Sequence, residues 1–500
     1  MTDSPKKNVS DAGEDSGRLT AFAPELLYAG GRFRRGRALV CDASGRVARV
    51  TGADEVPEGA ALVNLRGRAL LPGTVNAHSH AFQRVIRGRT ERRGARGRDS
   101  FWTWREQMYD AASRLTPEDI YDASRMAFLE MALGGITTVG EFHYLHRTPE
   151  GSGYEDPNLL SKQVVRAALD VGIRIALLRV AYARAGYSKE PDPRQLRFIE
   201  PDPEAYARNT ESLAEDLARS DSDEGPDGGE AAPRRAWVGV APHSVRAVPV
   251  EYLRRLRDFA DARSLPLHMH VAEQPAEVSA CVEETGRTPV ALLADEGLLG
   301  PRFTGVHAVH VTPGEVALLR AARACVCACP TTERNLGDGI VPADALLGAG
   351  VPVALGTDSH AQIDLLEDAR ELEYHLRLRR LERNVLAPGA KEDDEGAAGM
   401  SYLAARLFEC ATSAGARSVG AGVGELAEGE AADFFTVDLD DPSVAGASAE
   451  DLLPAIVFSL SRAAVRETAV GGRLVVEAGR HAAHDEIVSR FRALQRKLWR

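Results

Sequence analysis

The sequence predicts an α/β protein, a (β/α)8 TIM-like barrel carrying a small β-sandwich-like domain formed from both chain ends. Three observations predict it. Eight short apolar, β-rich runs alternate with longer amphipathic stretches, as βα units around a parallel sheet require. Strand-period pieces stand at both ends of the chain, outside those runs. The length of 500 residues accommodates a barrel of about 250 residues or more and a companion domain.

In chain order, residues 1–20 are rich in Ser, Asp, Glu, Gly and Lys and read as a disordered tail, because they hold too little apolar surface to bury. Residues 21–68 supply the first part of the small domain, with RALVCD and RVARV separated by glycine turns. The barrel is expected over 69–420, its runs lying near 70–77, 136–142, 173–181, 237–242, 266–271, 304–310, 324–330 and 352–357. An arginine-rich loop at 84–98 and polar segments at 220–235 and 388–399 interrupt it as surface insertions. Residues 421–500 return to strand periodicity in AADFFTVDLD and AVGGRLVVEAGR, then end in a helix over 485–499.

Composition narrows the class. With 44% hydrophobic and 27% charged residues the chain reads as globular, and a net charge of -12 disfavours a nucleic-acid footprint. Six cysteines without regular spacing argue against a disulfide framework. No apolar run reaches the ~20 residues that span a bilayer, and residues 1–20 lack the apolar stretch of a signal peptide, so a cytoplasmic protein is expected.

The chemistry gathers at the ends of the runs, where a barrel of this kind keeps its active site. NAHSHAFQ places His78 and His80 two residues apart, so both rings project from one face of an extended chain. The fifth run ends LPLHMHVAEQ, the sixth contains GVHAVH and the eighth ends LGTDSH, which puts further imidazoles and a carboxylate at the same end. Such nitrogen and oxygen donors suit Zn²⁺, with Fe²⁺ or Mn²⁺ tolerated.

In these residues the chain resembles the amidohydrolase superfamily, whose pattern is H-x-H on strand one, His on strands five and six, and Asp on strand eight. The resemblance implies that His78, His80, His270 and Asp358 hold one divalent metal, with zinc preferred. It further implies that Glu273 shuttles protons, that Asp358 accepts a proton from water, and that His307 orients the nucleophile. His268 has no such acidic partner and reads as a packing histidine, while His310 should face outward if its strand is regular. The fourth run, WVGVAPHSV, lacks the lysine that bridges two metals in the binuclear branch. Cys325, Cys327 and Cys329 share a strand face and are read as core rather than as a soft-metal site. The adjoining CPTTERNLGDG is expected at the pocket mouth.

Within that superfamily NAHSHAFQR, GEFHYLH, APHSVRAV, HMHVAEQ and CPTTERNLGDG are similar to the formimidoylglutamate deiminase branch. This implies hydrolysis of N-formimino-L-glutamate to N-formyl-L-glutamate and ammonia, as in histidine degradation. It also implies that Gln83, Tyr144, His243 and Arg246 hold the glutamate part, with Arg105 a further carboxylate partner. Two arginines and a tyrosine suit a small dicarboxylate, since guanidinium grips carboxylate through paired hydrogen bonds. Two alternatives remain at this stage: a deaminase of guanine, cytosine or S-adenosylhomocysteine type, and a barrel that binds without catalysis. A homodimer is common among resembling proteins.

Overall fold

A computed structural model describes residues 19–92, 99–187, 189, 192–222, 232–388 and 402–499. Eight parallel strands follow one another in chain order around a barrel: Thr74–Ser79, Ile136–His143, Arg174–Ala181, Ala236–Pro242, Leu267–Val271, Phe303–His307, Cys325–Ala328 and Val353–Leu355. Every residue of these strands is buried, because the barrel interior lies on one side and helices on the other. The barrel closes through a parallel bridge between Ser79, at the end of strand one, and Asp358, just past strand eight.

Helices follow each strand and begin where the sequence marks a start. Thr116 and Thr312 each cap a helix opened by proline, with Asp119 and Glu315 returning the bond three residues on. No helix among the described residues is long and apolar enough to cross a membrane.

The chain ends meet in a separate nine-stranded sheet, where Phe434–Asp438 runs antiparallel to Ala61–Pro72 and Ala61–Pro72 runs parallel to Thr20–Ala29. A buried ion pair links this sheet to the barrel: Arg174 Nε lies 2.9 Å from Asp433 Oδ2. The terminal helix, His484–Leu498, packs on Pro117–Leu133 and ties to it through Lys497–Asp119 and Arg125–Glu486.

Two sequence runs change on folding. The run at 70–77 divides, since Leu70, Leu71 and Pro72 finish a strand of the small sheet and the barrel strand starts only at Thr74. Gly73 makes the break, at a place where a Cβ would stand 2.4 Å from the Thr137 side chain. The run at 304–310 stops at His307, and Ala308 turns out of the strand at φ +50°. The expected tail falls outside the described residues up to 18, and Thr20 already belongs to the first strand of the small sheet. Residues 93–98 of the arginine-rich loop, and 223–231 and 389–401 at the two polar segments, also lie outside the described residues.

Gly356 allows strand eight to meet strand one, for a Cβ there would lie 2.7 Å from His78 Cβ and 2.9 Å from its carbonyl oxygen. Gly356→Ala should therefore lower stability by about 1–3 kcal/mol through overpacking. A denaturant titration of metal-free protein checks this, with an unchanged midpoint as the contrary result.

Candidate active site

The two ligand-bearing strand ends are held by polar side chains from the same motifs. Asn76 Nδ2 donates to Thr357 Oγ1 at 2.7 Å and Asn76 Oδ1 accepts from Thr357 N at 3.0 Å, joining strand one to the turn before Asp358. Ser79 Oγ donates to Glu141 at 2.5 Å, and the same carboxylate accepts from Ala81 N at 2.7 Å. His360, from the eighth run, contacts Ser79 Oγ at 3.0 Å and Thr357 Oγ1 at 3.1 Å, so it braces the two strand ends.

The donor atoms of His78, His80, His270 and Asp358 lie within 4.8 Å of one another, and all four residues are buried. Asp358 Oδ1 is 3.3 Å from His78 Nε2 and 3.2 Å from His80 Nε2, and His270 Nε2 is 3.1 Å from His78 Nε2. A carbonyl oxygen can only accept a hydrogen bond. Nδ1 of His80, 2.8 Å from Phe142 O, and Nδ1 of His270, 3.1 Å from His243 O, therefore carry the ring protons. The Nε2 lone pairs of His80 and His270 are left facing the Asp358 carboxylate and His78 Nε2, respectively. Burial pushes His78 down to about 3 and holds His270 well below the usual imidazole value, so protonation of those rings does not relieve the crowding. A divalent cation does, and three imidazole nitrogens with one carboxylate oxygen form a donor set that fits it.

Beside this cluster, His307 Nε2 lies 3.7 Å from Glu273 Oε1 and 3.9 Å from Asp358 Oδ2, while its Nδ1 lies 3.4 Å from Glu333 Oε1. Burial favours the neutral ring, but Glu273, Glu333 and Asp358 outweigh it and raise His307 well above the usual imidazole value. Burial raises Glu273 to about 7 against the opposing pull of His307. Asp358 stays well below the carboxylate range, because the surrounding imidazoles overcome the upward push of burial. Ala272 at φ +52°, His307 at +72° and Asp358 at +42° occupy the left-handed region, which non-glycine residues adopt only where their surroundings enforce it.

Gln83, Arg105, Tyr144, His243 and Arg246 all line one cavity together with His270, Glu273 and Asp358. Gln83 Nε2 donates to Tyr144 Oη at 2.9 Å. His243 Nδ1 lies 3.2 Å from Ser244 Oγ, and its ring centroid is 4.6 Å from that of Tyr182. The Arg105 guanidinium rests 4.5 Å from the Trp102 ring, with Nε and Nη1 buried and lacking a hydrogen-bond partner. Aromatic residues Phe101, Trp104, Tyr109, Tyr182 and Phe198 complete the wall.

Other sequence candidates stand apart. His268 is fully buried and donates through Nε2 to Ser418 O at 2.8 Å, away from the donor cluster. His310 lies beyond the end of its strand and donates to Asp338 O at 2.9 Å, so strand alternation no longer decides which way it faces. All six cysteines are buried and free. Arg84 and Arg87, from the arginine-rich loop, each pair with Glu130 at 2.6 Å. Of CPTTERNLGDG, Leu336 reaches the cavity, whereas Glu333 lies buried against His307.

Sequence reasoning missed four supporting residues. Glu333 accepts from Cys329 N at 2.8 Å and faces His307; Glu141 holds Ser79; Glu277 accepts from Glu273 N at 3.1 Å; Gln195 Nε2 donates to Tyr109 and Tyr182 at 2.8 and 2.7 Å. A signal existed for Glu141, a carboxylate inside the otherwise uncharged strand ITTVGEFH.

Residues 69–475 match the sequence profile of the Amidohydrolase family. The formimidoylglutamate deiminase of Pseudomonas aeruginosa is 38% identical over 426 residues, covering 85% of this chain and 88% of its own. The 5-methylthioadenosine/S-adenosylhomocysteine deaminase of Halobacterium salinarum is 29% identical over 442 residues, 88% of this chain and 89% of its own. The crystal structure of an amidohydrolase from Brucella melitensis superposes with a TM-score of 0.84 at 31% identity, covering 97% of this chain and 100% of that one.

Asp358→Asn and His80→Asn should each cut bound divalent metal from about one equivalent per chain to about a tenth or less, while His310→Asn leaves it intact. Elemental analysis after dialysis decides this, and full metal content in Asp358→Asn would remove that residue from the donor set.

Proposed function

Because the chain belongs to the amidohydrolase family, we propose that it hydrolyses the formimino group of N-formimino-L-glutamate, releasing ammonia and leaving N-formyl-L-glutamate. One observation carries this reading. Two arginines, Arg105 and Arg246, share the cavity with Glu273, and two Arg105 nitrogens are buried without a hydrogen-bond partner. Guanidinium N–H donors shut away from water without an acceptor are unfavourable, and a carboxylate fits such donors. A substrate with two carboxylates beside a hydrolysable imine nitrogen answers both features, and the deiminase relative from Pseudomonas aeruginosa supports it.

His78, His80, His270 and Asp358 would hold one divalent cation, zinc in our reading, whose Lewis acidity brings the ionisation of water toward neutral pH. Asp358 takes a proton from the attacking water through the carboxylate oxygen that faces His307. His307, with Glu333 against its Nδ1, keeps Nε2 toward the nucleophile and orients it. As oxygen adds to the formimino carbon, Glu273 delivers a proton to the imine nitrogen; Glu273 then passes the hydroxyl proton of the tetrahedral carbon to the same nitrogen, so that the C–N bond breaks with ammonia leaving and the carbonyl forming, and the proton held by Asp358 restores Glu273. A carboxyl group raised to about 7 by burial can both accept and donate near neutrality. Arg105 and Arg246 take the carboxylates, and Gln83, Tyr144 and His243, which line the same cavity, hold the glutamate part with them. The enzyme thus acts on a small molecule.

The aromatic wall favours a second reading, a deaminase of flat nucleobases or nucleosides, because such rings stack on tyrosine and tryptophan. A neutral ring offers paired arginines no counterpart and S-adenosylhomocysteine offers one carboxylate rather than two, and for that reason the dicarboxylate reading is preferred.

Ammonia release from N-formimino-L-glutamate, guanine, cytosine and S-adenosylhomocysteine at equal concentration separates the two, with turnover expected on the first alone. Arg246→Gln should lower kcat/KM on it by roughly 10²-fold or more, and unchanged activity would remove Arg246 from recognition. Glu273→Gln and Asp358→Asn should lower kcat by about 10²- to 10⁴-fold in folded protein; near-normal turnover in either would end the proton route assigned to that residue.

A further inference from the structure

Cys329 stands where strand seven, Cys325–Ala328, gives way to the helix Pro330–Leu336. Like Cys325 and Cys327 it is buried in the core, but it stands one residue past the strand and comes close to His307 and Asp358. The Cys329 sulfur, a ring nitrogen of His307 and a carboxylate oxygen of Asp358 lie within 4.8 Å of one another, and all three residues are buried. Asp358 divides its two oxygens. Oδ1 faces His78 and His80 at 3.3 and 3.2 Å, and Oδ2 faces His307 Nε2 at 3.9 Å. Two ligands about 2.1 Å from a tetrahedral zinc stand roughly 3.4 Å apart, so the second grouping needs only small side-chain movement to share a cation. Charge points the same way, since Glu273 at 3.7 Å and Glu333 at 3.4 Å add two more carboxylates around the single imidazole of His307.

We propose that Cys329, His307 and Asp358 form a second, thiolate-containing metal site that takes a thiophilic divalent cation, Cd²⁺ or excess Zn²⁺, and thereby inhibits the enzyme. Thiolate with imidazole and carboxylate is a softer donor set than the neighbouring three histidines and aspartate, and it selects soft cations. Binding forms a sulfur–metal and a nitrogen–metal bond and releases both the thiol proton and the proton on the ligating nitrogen of His307 to solvent. The cation then occupies the space between His307 and Asp358, where water is to be oriented and deprotonated. Binding stands on the geometry alone; inhibition also rests on the roles proposed above for those two residues.

The test titrates protein loaded with one equivalent of zinc with Cd²⁺, following thiolate-to-cadmium charge-transfer absorption in the ultraviolet alongside ammonia release. Wild type is expected to take one further equivalent with rising absorption and falling activity. The first site offers no sulfur, so the absorption reports the second. Cys329→Ser should abolish the absorption and weaken the second binding by about tenfold or more, with Cys329→Ala as the alternative should serine impair folding, while Cys327→Ser retains both. Absorption persisting undiminished without the Cys329 thiol, or no second equivalent in wild type, overturns the site. Cadmium binding with full absorption and unchanged turnover leaves the site standing and instead overturns the roles given to His307 and Asp358.

Discussion

The hydrogen bonds that close the barrel are made by the main chain of the residues whose side chains form the donor cluster. Asp358 N donates to His78 O and His80 N donates to Asp358 O, each at 3.0 Å. Strand closure and donor convergence are therefore one event, and the first and last strands cannot slip without dispersing the site. Gly356 permits the close approach. The left-handed backbone of Asp358 is a local cost of turning its carboxylate back over the barrel axis, offset by the surrounding bonds.

Around that closure the protein places an unusual density of ionisable groups out of water. Neutral imidazoles and carboxylates converge without enough protons to satisfy every lone pair, an arrangement unfavourable in an empty interior and favourable around a cation. A second row holds the first in place. Glu141 fixes Ser79 between the two histidines of strand one, Glu333 sits against His307, and Glu277 receives the backbone N–H of Glu273. Gln195 does the same for the cavity wall by bridging Tyr109 and Tyr182. Groups fixed before a ligand arrives need little reorganisation afterwards, which is how a polar site in a buried setting becomes effective.

The legibility of the fold followed from periodicity. Buried parallel strands are short apolar runs that helical stretches separate, and each of the eight left that trace. Boundaries were legible only where chemistry marks them. Nothing apolar distinguishes Leu70 from Val75, yet one belongs to the small sheet and the other to the barrel, with Gly73 alone between them. The end of strand six was hidden for a related reason: GVHAVH continues to alternate while the backbone has already turned at His307 and Ala308.

By itself the sequence determined which residues could bind a cation, because H-x-H spacing on a strand sets two rings on one face whatever surrounds them, and it determined that the remaining histidines and Asp358 stand at strand ends. Tertiary structure alone decided which tautomers those rings take, since that depends on the carbonyls of Phe142 and His243 meeting Nδ1. It also decided that Arg105, from a helix following a loop, reaches the cavity with nitrogens that lack hydrogen-bond partners, and that Cys329, while part of the core, comes within reach of His307 and Asp358. These outcomes depend on contacts between segments tens to hundreds of residues apart, and pattern along the chain carries periodicity but not distance across the barrel.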